Sequence, residues 1–135
     1  MKTIPALRPI TEEAAREVRR LIAEQTHVPA AWDALQIWGT IGRTVVLKTN
    51  GTLMISTEGV SEEDETPVEL TDPGLQLEAM VVGSRRWPLL KDMLPERPAD
   101  AAACTSCRST GDMWPESEHL VLCITCNGLG WYLDE

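Results

Sequence analysis

Phenylalanine is absent from this 135-residue chain, tyrosine occurs once, and three lysines stand against nine arginines. The depleted residues share AT-rich codons, so this bias reflects a GC-rich genome and says little about chemistry. Other absences exclude more. No run approaches the ~18 apolar residues of a membrane span, and the opening Met1-Lys2-Thr3-Ile4-Pro5-Ala6-Leu7-Arg8 lacks the apolar stretch of a secretory signal. A cytoplasmic protein that makes no membrane contact is the expectation. No G-x-S-x-G, P-loop or H-E-x-x-H pattern occurs. The two histidines, His27 and His119, stand alone, His27 at an expected helix end where an imidazolium suits the dipole. The sequence therefore predicts no enzyme.

What the chain does have is concentrated at its end. Its four cysteines form two Cys-x-x-Cys pairs, Cys104-Thr105-Ser106-Cys107 and Cys123-Ile124-Thr125-Cys126, fifteen residues apart. Two such knuckles supply four thiolates, the full tetrahedral set of a structural zinc ion with no position left for water. The expectation is one Zn2+ per chain, bound by Cys104, Cys107, Cys123 and Cys126, with folding as its purpose. Four thiolates also suit iron or an iron-sulfur cluster, and the pairs could instead be redox-active disulfides. His119, four residues before Cys123, is a substitute ligand that four cysteines make unnecessary.

Glycines narrow the reading. The second knuckle continues as Cys126-Asn127-Gly128-Leu129-Gly130, completing C-x-x-C-x-G-x-G, and the first as Cys107-Arg108-Ser109-Thr110-Gly111, which differs only at Ser109. Such glycines let the backbone turn under a metal at positive φ, with amides aimed at the thiolates. Over residues 104–130 this resembles the cysteine-rich repeat of DnaJ-type co-chaperones. That family carries four repeats and two zinc ions, whereas two repeats here accommodate one; the His-Pro-Asp of a J-domain is missing. The resemblance implies a protein-facing module.

Charge points the same way. The formal net charge is −9. Residues 58–72 hold seven acidic groups and no basic one, and residues 104–135 hold five acidic groups against Arg108 alone. A ribbon that gripped phosphates should be basic, so nucleic acid is not the expected partner; a protein with a basic surface is. The acidic run Ser61-Glu62-Glu63-Asp64-Glu65 lacks EF-hand spacing and reads as a solvated loop.

Upstream, the length allows a real core, since a chain near ~150 residues buries about two-thirds of its unfolded surface. Thr11-Glu12-Glu13 reads as a capped helix start, with Ala14, Ala15, Val18, Leu21 and Ile22 on one stripe and an end near residues 26–28, before Pro29. Pro29-Ala30-Ala31-Trp32 leads to a strand. Residues 44–49 and 52–57 flank Asn50-Gly51, predicting a two-residue type I′ hairpin that pairs Val46 with Ile55 and Leu47 with Met54. Val68-Glu69-Leu70 reads as a short strand, the alternation of Leu75 to Val82 as another, and Ser84 to Leu94 as a helix with Pro88 in its first turn. The Arg85-Arg86-Trp87 cluster reads as a helix start with snorkelling arginines over the Trp87 indole, with an anion or carboxylate site as the sharper alternative.

The fold class predicted is α+β: an N-terminal helix with a small antiparallel sheet at 1–94, a connector at 95–103, and a four-cysteine zinc-ribbon-like appendage at 104–135. The functional expectation is a non-enzymatic interaction module (adaptor, chaperone-like or inhibitor) using an acidic face with exposed Trp114, Leu129 and Trp131. A thiol-disulfide enzyme or redox sensor is the alternative, followed by a nucleic-acid ribbon that would need a face built from Arg16, Arg19, Arg20, Arg85 and Arg86.

Overall fold

The computed structural model describes residues 2–26, 28–40, 43–56, 67–107, 111, 122–123 and 125–134. The chain is α+β, with an N-terminal helix, a small antiparallel sheet and a C-terminal cluster of four cysteines. In chain order the elements are β1 (Lys2–Thr3), α1 (Glu12–Glu24), a 3-10 turn (Ala30–Trp32), β2 (Leu35–Thr40), β3 (Arg43–Leu47), β4 (Leu53–Ser56) and β5 (Val68–Glu69). There follow α2 (Pro73–Arg86), a second 3-10 turn (Pro88–Met93), β6 (Ala102–Ala103) and β7 (Trp131–Asp134).

Helix α1 forms where its hydroxyl cap lies: Thr11 accepts the Ala14 amide at 3.0 Å, satisfying a donor that the first turn leaves unpaired. Ala14 and Val18 are fully buried, with Leu21 and Ile22 half-buried beside them. This stripe packs with Leu35, Ile37, Val45, Leu47 and Leu53 of the sheet β2-β3-β4-β5. Burying one such side chain stabilises the fold by about 1.5–3 kcal/mol. The sheet's other face carries Val46 and half-buried Met54, covered by Val28, Trp32 and Ala34. Both faces of the hairpin are therefore apolar, as its sequence requires.

The hairpin turn differs from the two-residue type I′ form. Lys48 accepts the Gly51 amide and donates to Thr52, while Val45 pairs with Ile55, Val46 with Met54 and Leu47 with Leu53. The loop thus has three residues, Thr49-Asn50-Gly51, with only Gly51 at positive φ (92°), the arrangement of a type I turn followed by a bulge glycine. Face segregation chose this register: it places Val45, Leu47, Leu53 and Ile55 together on the helix side, whereas one residue of slip would mix the two faces.

Residues 75–82 form part of α2, not a strand. Asp72 Oδ1 caps the helix by accepting the Gly74 and Leu75 amides at 2.9 and 3.3 Å, and Pro73 occupies the first turn. Alternation of Leu75, Leu77, Ala79 and Val81 concealed a helical stripe because α2 is buried on more than one side. Ala79 and Met80 join the sheet core, and a methyl placed on Gly83 would come within 3.2 Å of Ile37 Cβ. On another side, methyls placed on Gly74 and Gly128 would lie 3.2 Å from Asn127 Nδ2 and Val81 Cγ1 respectively, so α2 also carries the second cysteine knuckle. The helix expected over Ser84–Leu94 is correspondingly split: Ser84–Arg86 end α2, and Pro88 opens the 3-10 turn.

The second sheet has the order β1-β7-β6. Lys2 and Thr3 pair with Asp134 and Leu133, and Ala102 and Ala103 pair with Tyr132 and Trp131. Strand β7 thereby joins the two ends of the chain. Trp131 is buried at 8% exposure and Leu129 is half-buried, so neither forms the exposed apolar face that the sequence suggests. Trp114, His27, His119 and the acidic run Ser61–Glu65 lie outside the described residues.

Candidate metal centre

The four cysteines meet at one point. Their sulfurs all lie within 4.8 Å of one another, and all four side chains are buried, at 1%, 5%, 0% and 2% exposure in chain order. Cys104 Sγ lies 3.7 Å from Cys123 Sγ, and Cys107 Sγ lies 3.7 Å from Cys126 Sγ. A tetrahedron with metal–sulfur bonds of ~2.3 Å has edges of ~3.8 Å, so a metal ion fits this sulfur set. None of the four is in a disulfide. Held here, an ion would have its tetrahedral positions filled by Cys104, Cys107, Cys123 and Cys126, which leaves no site for water or substrate.

The surroundings follow from the repeat. Cys104, Cys107 and Gly111 of the first knuckle recur nineteen residues later as Cys123, Cys126 and Gly130, and the two halves bond to each other reciprocally. Cys104 donates its amide to the Gly130 carbonyl at 3.0 Å, and Cys123 donates its amide to Gly111 at 2.8 Å. Gly111 donates its amide to Cys107 Sγ at 3.2 Å, and Gly130 does the same to Cys126 Sγ at 3.2 Å. Thr125 Oγ1 meets Ser106 Oγ at 3.4 Å between the knuckles. The site is thus an approximate two-fold built from an internal repeat.

Glycine is required at these turns. Gly111, Gly128 and Gly130 have φ of 83°, 87° and 88°, a region that L side chains adopt at a cost of about 1–2 kcal/mol. Asn127, at φ 55°, is among the few residue types that tolerate it. Tyr132 of β7 packs on the cysteine cluster from outside. Arg108, Ser109, Thr110 and Ile124 lie outside the described residues.

Without a metal the thiols differ. Burial pushes Cys104 above its ordinary value and Cys126 up to about 12. Burial also opposes ionisation of Cys123, but the backbone amides of Cys126 and Thr125 and the neighbouring thiols outweigh it and draw that group down to about 7. One thiolate is therefore available near neutral pH, while at least two others must lose protons to an incoming cation.

Sequence reasoning found all four cysteines and the turn glycines. It did not find β1, whose Lys2 and Thr3 carry no pattern of their own, or Tyr132. The reciprocal bonds were foreshadowed only by the constant nineteen-residue offset. Among the described residues, no helix is long and apolar enough to cross a membrane. No family model, curated protein or solved structure matches the chain.

Proposed function

We propose that the chain is a small protein-interaction module, without enzymatic chemistry, whose C-terminal part is folded around one structural zinc ion. The observation that carries the zinc reading is the closed sulfur cluster: four buried thiols within 4.8 Å of one another, with amide donors from Gly111 and Gly130 on two of them. Charge-assisted N–H···S bonds hold thiolates in place without opening a coordination position. The interaction reading rests on the resemblance of residues 104–130 to the DnaJ-type cysteine-rich repeat and on the net charge of −9, which would steer a basic protein surface toward the chain and repel phosphates.

The redox reading, in which oxidation of the Cys-x-x-Cys pairs releases the ion, requires an oxidant to reach sulfurs whose exposure is 5% or less. Thiol counting and metal analysis before and after mild peroxide separate the two. A structural site retains its zinc and its four unreactive thiols. Release of the ion in step with disulfide formation would favour the sensor. For the partner class, a gel-shift assay at low salt is the severe test, because low ionic strength maximises attraction to phosphate. Tight, salt-dependent retardation of DNA or RNA would overturn the interaction reading.

A further inference from the structure

Among the described residues, two cavities, of about 350 and 290 Å³, lie away from the cysteines. The larger, about 350 Å³, sits beside the Asn50-Gly51 turn, but its cation is already spent: Arg8 donates to the Leu94 carbonyl at 2.7 Å and pairs with Glu96 at 3.2 Å. The other, about 290 Å³, opens between the end of α1, the edge strand β2 and the end of α2, and no residue of the cysteine sheet lines it. Its size suits a small molecule, since ligand pockets begin near ~300 Å³.

The chemistry of the second cavity is selective. Leu21, Leu35 and Trp87 supply an apolar wall. At its side Arg86 lies over the Trp87 ring, 4.7 Å from the centroid, and no carboxylate among the described residues pairs with it. The stacked guanidinium is pre-positioned, and its N–H fork is left for an anion. Glu24, the one acidic group in the lining, is paired with Arg20 at 2.9 Å. The floor is fixed as well. Gln25 donates from Nε2 to the Ala34 carbonyl at 2.5 Å and accepts the Gln36 amide at 3.3 Å, imitating a neighbouring strand on the edge of β2. Gln36 completes the lining.

We propose that this cavity binds a small carboxylate with an aliphatic body, its anionic end on Arg86 and its chain against Leu21, Leu35 and Trp87. Because the ligand's charge meets a guanidinium held on an indole, the carboxylate dominates recognition. This site is independent of the metal centre and of the interaction role proposed for the chain.

The test uses the full metal-loaded chain with 4-methylpentanoate as probe and 4-methylpentanamide as its uncharged counterpart, followed by amide and indole NMR shifts. The expected result is saturable shifts at Gln25, Gln36 and Trp87 with the carboxylate, and none at equal concentration with the amide. Arg86 is exposed, so Arg86→Gln should leave the spectrum folded and weaken binding at least about tenfold, the scale of a charge-assisted contact. Lys91→Gln removes an equal charge outside the cavity and should leave binding unchanged. Absence of saturable shifts at these residues, equal binding of the amide, or unaltered affinity in Arg86→Gln would overturn the proposal.

Discussion

Gly111 and Gly128 approach each other so closely that a Cβ on Gly111 would lie 2.2 Å from the Gly128 carbonyl oxygen. Each belongs to a different knuckle, so this contact sets how near the two Cys-x-x-Cys turns can come, and with it the spacing of the sulfurs. The offending atom is backbone and cannot swing aside.

Gly111→Ala should therefore destabilise the cysteine sheet by more than the about 1–2 kcal/mol of its left-handed φ alone. Gly39→Ala is the control, because its new methyl would meet only the flexible end of Gln36, at 2.7 Å from Nε2. Chemical denaturation of both variants, with metal retention measured alongside, should show a large loss for the first and a small one for the second. Equal losses would disprove the close-packing account.

Metal removal should act through β7. Because β7 pairs with both β1 and β6, hydrogen exchange after chelation should accelerate together in residues 2–3, 102–103 and 131–134. Strands β2 to β4 have their own core with α1 and α2 and should keep their protection. Collapse of protection throughout the chain would show that the cysteine centre holds up the entire fold.

Metal binding should release protons, and the sign follows from the thiols. Cys104 and Cys126 are raised, the latter to about 12, so at pH 8 both are protonated in the metal-free protein, whereas Cys123, at about 7, is largely ionised. Loading at pH 8 should thus liberate at least two protons per ion. Affinity should fall as pH drops through 7, where Cys123 protonates as well. A weakly buffered titration with a pH indicator measures the release; a value near zero would contradict the assignment of these thiols as ligands.

In the main core, Leu47 of β3 is fully buried in the cluster that contains Ala14 and Val18 of α1, and Leu47→Ala should cost about 2–5 kcal/mol. Val68 on edge strand β5 is 62% exposed, so Val68→Ala should change stability by no more than about 0.5 kcal/mol. Urea unfolding midpoints compare the two directly. Similar effects would mean that the core lies elsewhere.

How much of this was legible in the sequence depended on whether the determining forces were local. Thr11, the stripe from Ala14 to Ile22 and the cysteine-glycine repeats act within a few residues, and each appears where it was read. The hairpin was legible as a hairpin, but its register was decided by packing on both faces, which overrode the two-residue preference of Asn50-Gly51. Helix α2 was misread because burial against two different neighbours blurred its 3.6-residue period, while the cap at Asp72-Pro73 carried the stronger signal. Pairing of Lys2 and Thr3 with β7 spans the whole chain and leaves no local trace. The cavity beside Arg86 is likewise a product of three elements meeting, although Arg85-Arg86-Trp87 was visible as a cluster.

The central claim is a closed four-thiolate zinc site, and X-ray absorption at the metal edge of the purified protein tests it most directly. The account predicts one zinc per chain with four sulfur neighbours at ~2.3 Å and no oxygen or nitrogen ligand. Iron in its place, or a zinc ion with a water or histidine in its first coordination sphere, would contradict it.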